Sequence, residues 1–437
     1  MTYQVDEYRT WDIAIIGAGA AGLAAGIFAA ETARASNHAL RIILLDSAKK
    51  IGAKILISGG GRCNVTHDSI SPDDFNGSRN IVRNVLAAFD EQATVRWFEA
   101  LGVPLKREDT GKLFPISDKA HTVLDALLRR CTALGIDLFT RHKVQDVIPP
   151  QDSPHPLSPT RGTTVKDNYF LLQHEGGSLQ ARRVIMATGG RSLPKTGSDG
   201  SGWTLVSRLG HTVTETYPAL VPLVLRKELF HEELSGMSLP VELSTFAAGK
   251  RVDRRSGHLL WTHFGVSGPV VMDASRHWIS AQANRQTAEL RCNFLPGQSF
   301  EQVEKTFMDA AALRPRLSLG RLLGEQFPDR FAVALIRWAS MDPTMALSVL
   351  RREGRRRLVH ALTNFLLPVE QERGWNFAEV TAGGVPLHEI DYRTMASRIV
   401  PGLYLAGEML DCDGRIGGFN FQWAWSTGRL AGRAAAR

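Results

Sequence analysis

Three clusters of residues in this 437-residue chain could do chemistry. The first is Gly17-Ala18-Gly19-Ala20-Ala21-Gly22 with an acid, Asp46, downstream. A GxGxxG alone is weak. Here it follows the apolar run "WDIAIIG", opens the helix-like "AAGLAAGIFAAETARA", and is succeeded by a second apolar run, "LRIILLD", that ends on Asp46. That setting is a strand, a tight turn, a helix and a second parallel strand. Gly17 permits the turn, Gly19 lets a pyrophosphate approach the backbone, and Gly22 lets helix and strand pack closely. The helix start, with Ala20 and Ala21, offers free N–H groups and a positive dipole end to a diphosphate. Asp46 suits a ribose 2′-hydroxyl and disfavours a 2′-phosphate, so FAD or NAD ranks ahead of NADP.

The second cluster lies near the other chain end, in "GLYLAGEMLDCDGRIGGFNFQWAWSTGRLAG". Gly407 and Glu408 close a strand, and Gly417-Gly418 open a helix. An extended dinucleotide crossing the sheet from Gly19 would meet this second helix start at its far end. Glu408 would hydrogen-bond ribityl hydroxyls, and the helix dipole near Gly418 would favour negative charge on a reduced flavin. That selects FAD over NAD. The competing reading is a C-terminal helix with a glycine cap. No second GxGxxG exists; "GSDGSG" (197–202) follows no strand closely and lacks helix phase. Any NAD(P)H is therefore expected to bind transiently.

The third cluster is "LISGGGRCNV", Leu56 to Val65. It is not a GxxxxGK[ST] phosphate loop. Cys63 has no neighbouring thiol for a dithiol centre. Gly59 to Gly61 are expected where a Cβ would collide with a flat ring or diphosphate. Arg62 and Asn64 become the polar contacts to test; a surface salt bridge is an equal alternative for Arg62. In "WTHFGVSGP", His263 is a candidate proton donor, and a structural histidine in a turn is as good a reading. His67 and His121 are weaker candidates. No metal-ligand spacing occurs, so no metal is expected.

The remaining composition is that of an ordinary globular protein, 43% hydrophobic and 22% charged. The net charge of +8 attracts anions without naming one. The four cysteines, 63, 131, 292 and 412, form no CxxC pair, which fits a reducing, cytoplasmic location. Residues 13–30 are uncharged but glycine-punctuated and preceded by an acidic stretch, so they read as strand and helix, not as a leader or span. "RREGRRR" (Arg351–Arg357) reads as a solvated helix face, and nucleic acid is expected not to be a partner.

These elements imply an α/β chain in which both ends build one Rossmann-type domain. Residues 1–195 plus 372–437 are expected to form it. Short β-like runs in 196–297, with 363–371, suggest an inserted β-rich, barrel-like domain, and 298–362 a helical subdomain. Residues 81–142 look mainly helical, "DLFTRHKVQDVIP" reads as one strand, and the Pro/Ser/Thr-rich 151–168 as an exposed hairpin tip.

Taken together, "IIGAGAAGLAAG", "KILISGGGRCNVTH", "IMATGG", "WTHFGVSGP", "VTAGGV" and the 402–428 motif resemble the BaiN/YhiN-type FAD-dependent oxidoreductases across nearly the whole chain. The resemblance implies an FAD domain split around the inserted segments. It also implies site residues: Gly17, Gly19 and Gly22 at the diphosphate, Asp46 at the adenosine ribose, and Val144 at the adenine. Lys54, Gly60, Gly61, Arg62 and Asn64 would line the flavin and its linker. Gly189 would border the dinucleotide, and Gly407, Glu408, Ile416, Gly418 and Asn420 the ribityl and ring end. In activity, one branch of that family reduces carbon–carbon double bonds conjugated to a keto group, and another oxidises aminoacetone. The expected reaction is reduction of an enone-like bond in a small molecule with NAD(P)H as electron source. An amine or aminoketone oxidase using O2 and a nucleic-acid-associated flavoprotein are the alternatives. A flavin-dependent RNA-modifying enzyme is set below them because of the "SGGGRCN" loop.

Overall fold

The computed structural model describes residues 10–150 and 168–437. The Pro/Ser/Thr-rich stretch therefore lies outside the described residues except for Asn168. The chain divides into two units, Met1–Tyr217 with Val380–Arg437, and Pro218–Glu379.

The first unit is built on a nine-stranded sheet with a parallel core. Strand Thr10–Ile16 is central, with Ile13 beside Ile42 on one side and Arg183 on the other. Asp137–Phe139 extends the sheet beyond Ile42–Leu45, and Leu403–Leu405 pairs in parallel with Gly177–Met186 on the opposite flank. The N-terminal and C-terminal segments thus share one sheet. Ile13 to Ile16 of strand "TWDIAII" form an unbroken buried apolar run, as a parallel strand covered on both faces requires.

Helix Ala20–Ala35 and the closing helix Phe419–Ala435 pack backbone against backbone. A Cβ at Gly428 would fall 2.5 Å from the Ala21 carbonyl oxygen, and one at Gly432 2.2 Å from that of Ala25. Only glycine permits this approach.

Several local readings change. "DLFTRHKVQDVIP" forms two strands, Asp137–Phe139 and Val144–Ile148. Arg141 between them adopts φ 58°, and Arg141 and His142 donate their N–H groups to Ala48 and Asp46. The helical region 81–142 is interrupted by a hairpin, Leu105–Arg107 with Lys112–Pro115. A helix, Ser201–Arg208, does follow "GSDG", entered from a 3-10 turn at Pro194–Thr196 and not from a strand. Residues 196–217 belong to the first unit.

The second unit holds a seven-stranded sheet. Its two edge strands, Phe365–Leu367 and Val369–Glu372, are separated only by Pro368, so the sheet must curl until its edges meet. Helix Pro269–Ala283, which the β-like runs conceal, packs on the long hairpin Ser238–Thr262. Four further helices occupy 300–363. They share an aromatic core with the sheet: Phe294 lies 4.8 Å from Phe331 on a helix and 5.7 Å from Phe365 on a strand.

Candidate functional site

The fingerprint turn forms as its spacing predicts. Gly17 has φ 100°, and a Cβ there would lie 2.4 Å from the Ala187 oxygen. A Cβ on Gly22 would lie 1.9 Å from the Gly17 oxygen. At Gly19, the N-cap, no side chain caps the helix, so its first-turn N–H groups stay available to an anion. Asp46 folds over this turn. One carboxylate oxygen accepts the Ala18 N–H and the other the Ala48 N–H, each at 2.7 Å. The acid therefore fixes the turn, and each oxygen keeps a further lone pair. Val144 is buried on its strand opposite His174, where the register slips.

The "SGGG" segment is a short helix that reverses hand. Ser58 is extended at ψ 148°, and Gly59, Gly60 and Gly61 all have positive φ. A Cβ on Gly60 would meet nothing within 4 Å. All three glycines sit in left-handed backbone, and a Cβ on Gly59 would in addition fall 2.8 Å from the Phe114 ring. Cys63 is fully buried at φ 61°, and burial pushes its thiol up to about 12, so it carries no thiolate at neutral pH. Arg62 donates to Glu108 at 2.5 Å and lies 4.0 Å over the Phe114 ring. The salt-bridge reading of Arg62 is the arrangement present. His263 is exposed in the tight turn between two strands of the second unit.

Lys54 and Glu408 meet. The Lys54 ammonium donates to Glu408 Oε2 and to Ser192 Oγ, both at 2.7 Å. Ser192 Oγ donates to Glu408 Oε1 at 2.8 Å, and the Thr381 N–H donates to the same oxygen at 3.0 Å. Thr381 Oγ1 in turn accepts the N–H groups of Arg191 and Ser192. Four chain segments far apart in sequence are tied at one carboxylate. Ser192 and Thr381 were not singled out by sequence; a lone hydroxyl residue carries no spacing signal.

At the far end, Gly418 has φ 95° and begins the closing helix, and a Cβ there would strike the Thr66 backbone at 2.6 Å. Asn420 donates to the Gly414 carbonyl and accepts the Gly414 N–H, so it staples the preceding loop. Ile416 lies in that loop, half-buried. Gly407 has φ 77° and donates to Thr427, and Gly189 also has positive φ.

The residues present fit a dinucleotide. Asn64 is 7% exposed, yet its Oδ1 has no hydrogen-bond partner. Thr188 Oγ1, beside Gly189, is likewise buried and unsatisfied. Such orphans are costly unless a ligand answers them. Thr188 sits in the "IMATGG" motif, where a lone hydroxyl carries no spacing signal of its own. No group of metal-ligating side chains occurs among the described residues, and none of their helices is long and apolar enough to cross a membrane.

Residues 11–434 match the model of the HI0933-like protein Rossmann domain. The chain is 32% identical over 425 residues to 3-dehydro-bile acid delta(4,6)-reductase of Clostridium scindens, covering 97% of this chain and 98% of that protein. It is 31% identical over 421 residues to ribosomal RNA dihydrouridine synthase of Escherichia coli, covering 95% and 96% respectively. Among solved structures, 3-ketosteroid-delta4-(5alpha)-dehydrogenase from Rhodococcus jostii RHA1 aligns at TM-score 0.48 and 15% identity, over 99% of this chain and 98% of that one. The chain belongs to the HI0933-like family of Rossmann flavoproteins and is an FAD-dependent oxidoreductase.

Proposed function

We propose that this flavoprotein reduces a carbon–carbon double bond conjugated to a carbonyl, drawing electrons from NAD(P)H. The observation that carries the reading is a shared bond type. A delta(4,6)-reductase acting on a 3-dehydro bile acid and an enzyme making dihydrouridine both saturate a C=C next to a carbonyl, and this chain is about equally similar to the two.

The site residues have distinct duties in that reaction. Gly17, Gly19 and Gly22, with the uncapped helix start, would hold the diphosphate, and Asp46 would hold both the turn and the ribose. Asn64 and Thr188 would satisfy their orphaned oxygens on the cofactor. Bound there, FAD supplies hydride at its ring N5. The Lys54–Ser192–Glu408 cluster keeps a cation and its counter-ion locked together beside the fingerprint helix, so the site carries fixed dipoles and needs little reorganisation as charge develops. A proton must reach the carbon alpha to the carbonyl to balance the hydride. Arg62 and His263 are the candidates to polarise the carbonyl or deliver that proton.

A second reading concerns the molecule that carries the bond. Arg351, Arg352 and Arg357 are exposed and, among the described residues, have no acidic partner. That favours uracil within RNA over a free small molecule. The "SGGGRCN" loop does not separate the two, because relatives named for either substrate fall at similar identity.

Anaerobic mixing with NADH or NADPH should bleach the flavin. A 3-oxo-4,6-diene steroid or uridine-containing ribosomal RNA should then restore the colour. Bleaching by aminoacetone and not by NAD(P)H, with peroxide released in air, would instead identify an amine oxidase.

A further inference from the structure

We infer that the outward face of helix Arg352–Thr363 in the second unit is a docking surface for RNA; this rests on the RNA reading of the reductase site. Helical spacing turns Leu358, Val359, Ala361 and Leu362 inward, where they are buried. The same spacing turns Arg352, Arg356, Arg357 and His360 outward, and all four are exposed. Arg351 precedes them as the N-cap residue, also exposed.

The cationic groups are not used up internally. Among the described residues, only Arg355 of this run is spent on an acid, Glu304, at 3.3 Å. Glu353 is the one acid within the run Arg351–Arg357. Guanidinium groups without local partners suit phosphate, which they bind in a two-pronged, planar fashion.

An aromatic element points to nucleic acid and away from a lipid surface. Phe300, at the start of the neighbouring helix, is half-buried. His360 lies 4.5 Å from its ring, and the Arg356 guanidinium lies 5.4 Å from its centroid. Flat groups interleaved with arginines form a stacking platform for unpaired bases, alongside the electrostatic hold on the backbone. A membrane-binding face would pair its cations with protruding aliphatic side chains on the same helix, and here the aliphatic residues point inward.

The test is fluorescence anisotropy of the full holoprotein with a fluorescein-labelled ribosomal RNA hairpin at several salt concentrations. The variant R351S/R352S/R356S/R357S, melting with the wild type, should bind at least tenfold more weakly. Its slope of log affinity against log salt should be shallower by about 3, for four lost phosphate contacts. F300A should weaken binding about fivefold with little change of slope, the mark of lost stacking. A control, R83S/R96S/K119S/R129S, removes four exposed cations from the first unit and should bind nearly as the wild type does. An unchanged affinity in the quadruple variant overturns the inference, even where dihydrouridine formation by the wild type upholds the RNA reading. An equal loss in the control shows net charge alone at work and also overturns it. A wild type that neither binds the hairpin nor forms dihydrouridine sinks the RNA reading and this surface together. Loss of retention on phosphatidylglycerol vesicles, with RNA affinity intact, reassigns the face to lipid.

Discussion

Two glycine-rich turns in the first unit look alike in sequence and obey different constraints. In GAGAAG, Gly17 and Gly22 are dictated by neighbours: a Cβ on Gly22 would sit 1.9 Å from a backbone oxygen. In SGGG all three have positive φ, and Gly60, at φ 69°, has open space where its Cβ would point, although a Cβ on Gly59 would meet the Phe114 ring at 2.8 Å. The first turn is a close-packed junction that cannot yield. The second is a reversal of the chain that, at Gly60, a residue tolerant of left-handed backbone could make. A run of glycines therefore does not by itself report a ligand; what surrounds each missing Cβ decides.

The sharpest test replaces Gly22 by Val. The clash cannot be relieved without separating helix from strand, so stability should fall by about 3 kcal/mol or more, and the protein should purify without yellow colour. Next comes Glu408→Gln, which leaves the Lys54 ammonium without its counter-ion. A loss of about 1–3 kcal/mol is expected, read by thermal melting, with Lys54→Met restoring part of it in the double variant. Asn64→Ala should act on the cofactor more than on the fold. FAD affinity should fall about tenfold, a loss of near 1.4 kcal/mol, while the apoprotein melts no lower than the wild type because a buried orphan has been removed. A lower apoprotein melting point with unchanged FAD affinity would make Asn64 structural.

Gly60→Ala is the mild counterpart of the first test. Left-handed backbone costs alanine about 1 kcal/mol, and Gly60→Asn should recover much of that. If Gly60→Ala proved as damaging as Gly22→Val, the contrast would collapse and a ligand would have to fill the open space. The smallest effect is at Cys63. Burial raises its thiol to about 12, so the protonated form belongs to the fold. That contribution is full below about pH 9 and fades as pH climbs toward 12. Titration with a disulfide reagent between pH 6 and 8 should find no reactive thiol in the native protein, since all four cysteines are buried. All four should appear on unfolding.

Much of this was legible in the sequence because its signals are local. The fingerprint, Asp46 and the apolar strands carry their meaning within about 30 residues, and the closing helix is marked by Gly417-Gly418. Other features are not local. Glu408 finds Ser192 and Thr381 only because the sheet brings those segments together. The hairpin at 105–115 is too short to show a period, and Gly111 with Pro115 reads equally as loop. Helix Pro269–Ala283 hides because "PVV" and "HWIS" are β-prone residues, and packing on the long hairpin overrides that preference. The left-handed backbone of Gly59 to Gly61 is not legible either, because a one-dimensional string shows that glycine is present and not which conformation requires it.

The backbone-tight seam between Ala20–Ala35 and Phe419–Ala435 has a consequence for how the protein is made. Helix Ala20–Ala35 can complete this seam only with a segment that lies far downstream in the chain. At about 5–20 residues per second, the nascent first unit waits for tens of seconds with the flank of strand Gly177–Met186 unpaired, while all of Pro218–Glu379 emerges and can fold beside it. Final assembly is then a late, long-range event, slowed by the entropy of closing so large a loop. The birth of the cofactor site is tied to the emergence of residues 403–435, and the interval before it is when the unfinished sheet edge is exposed to misassociation.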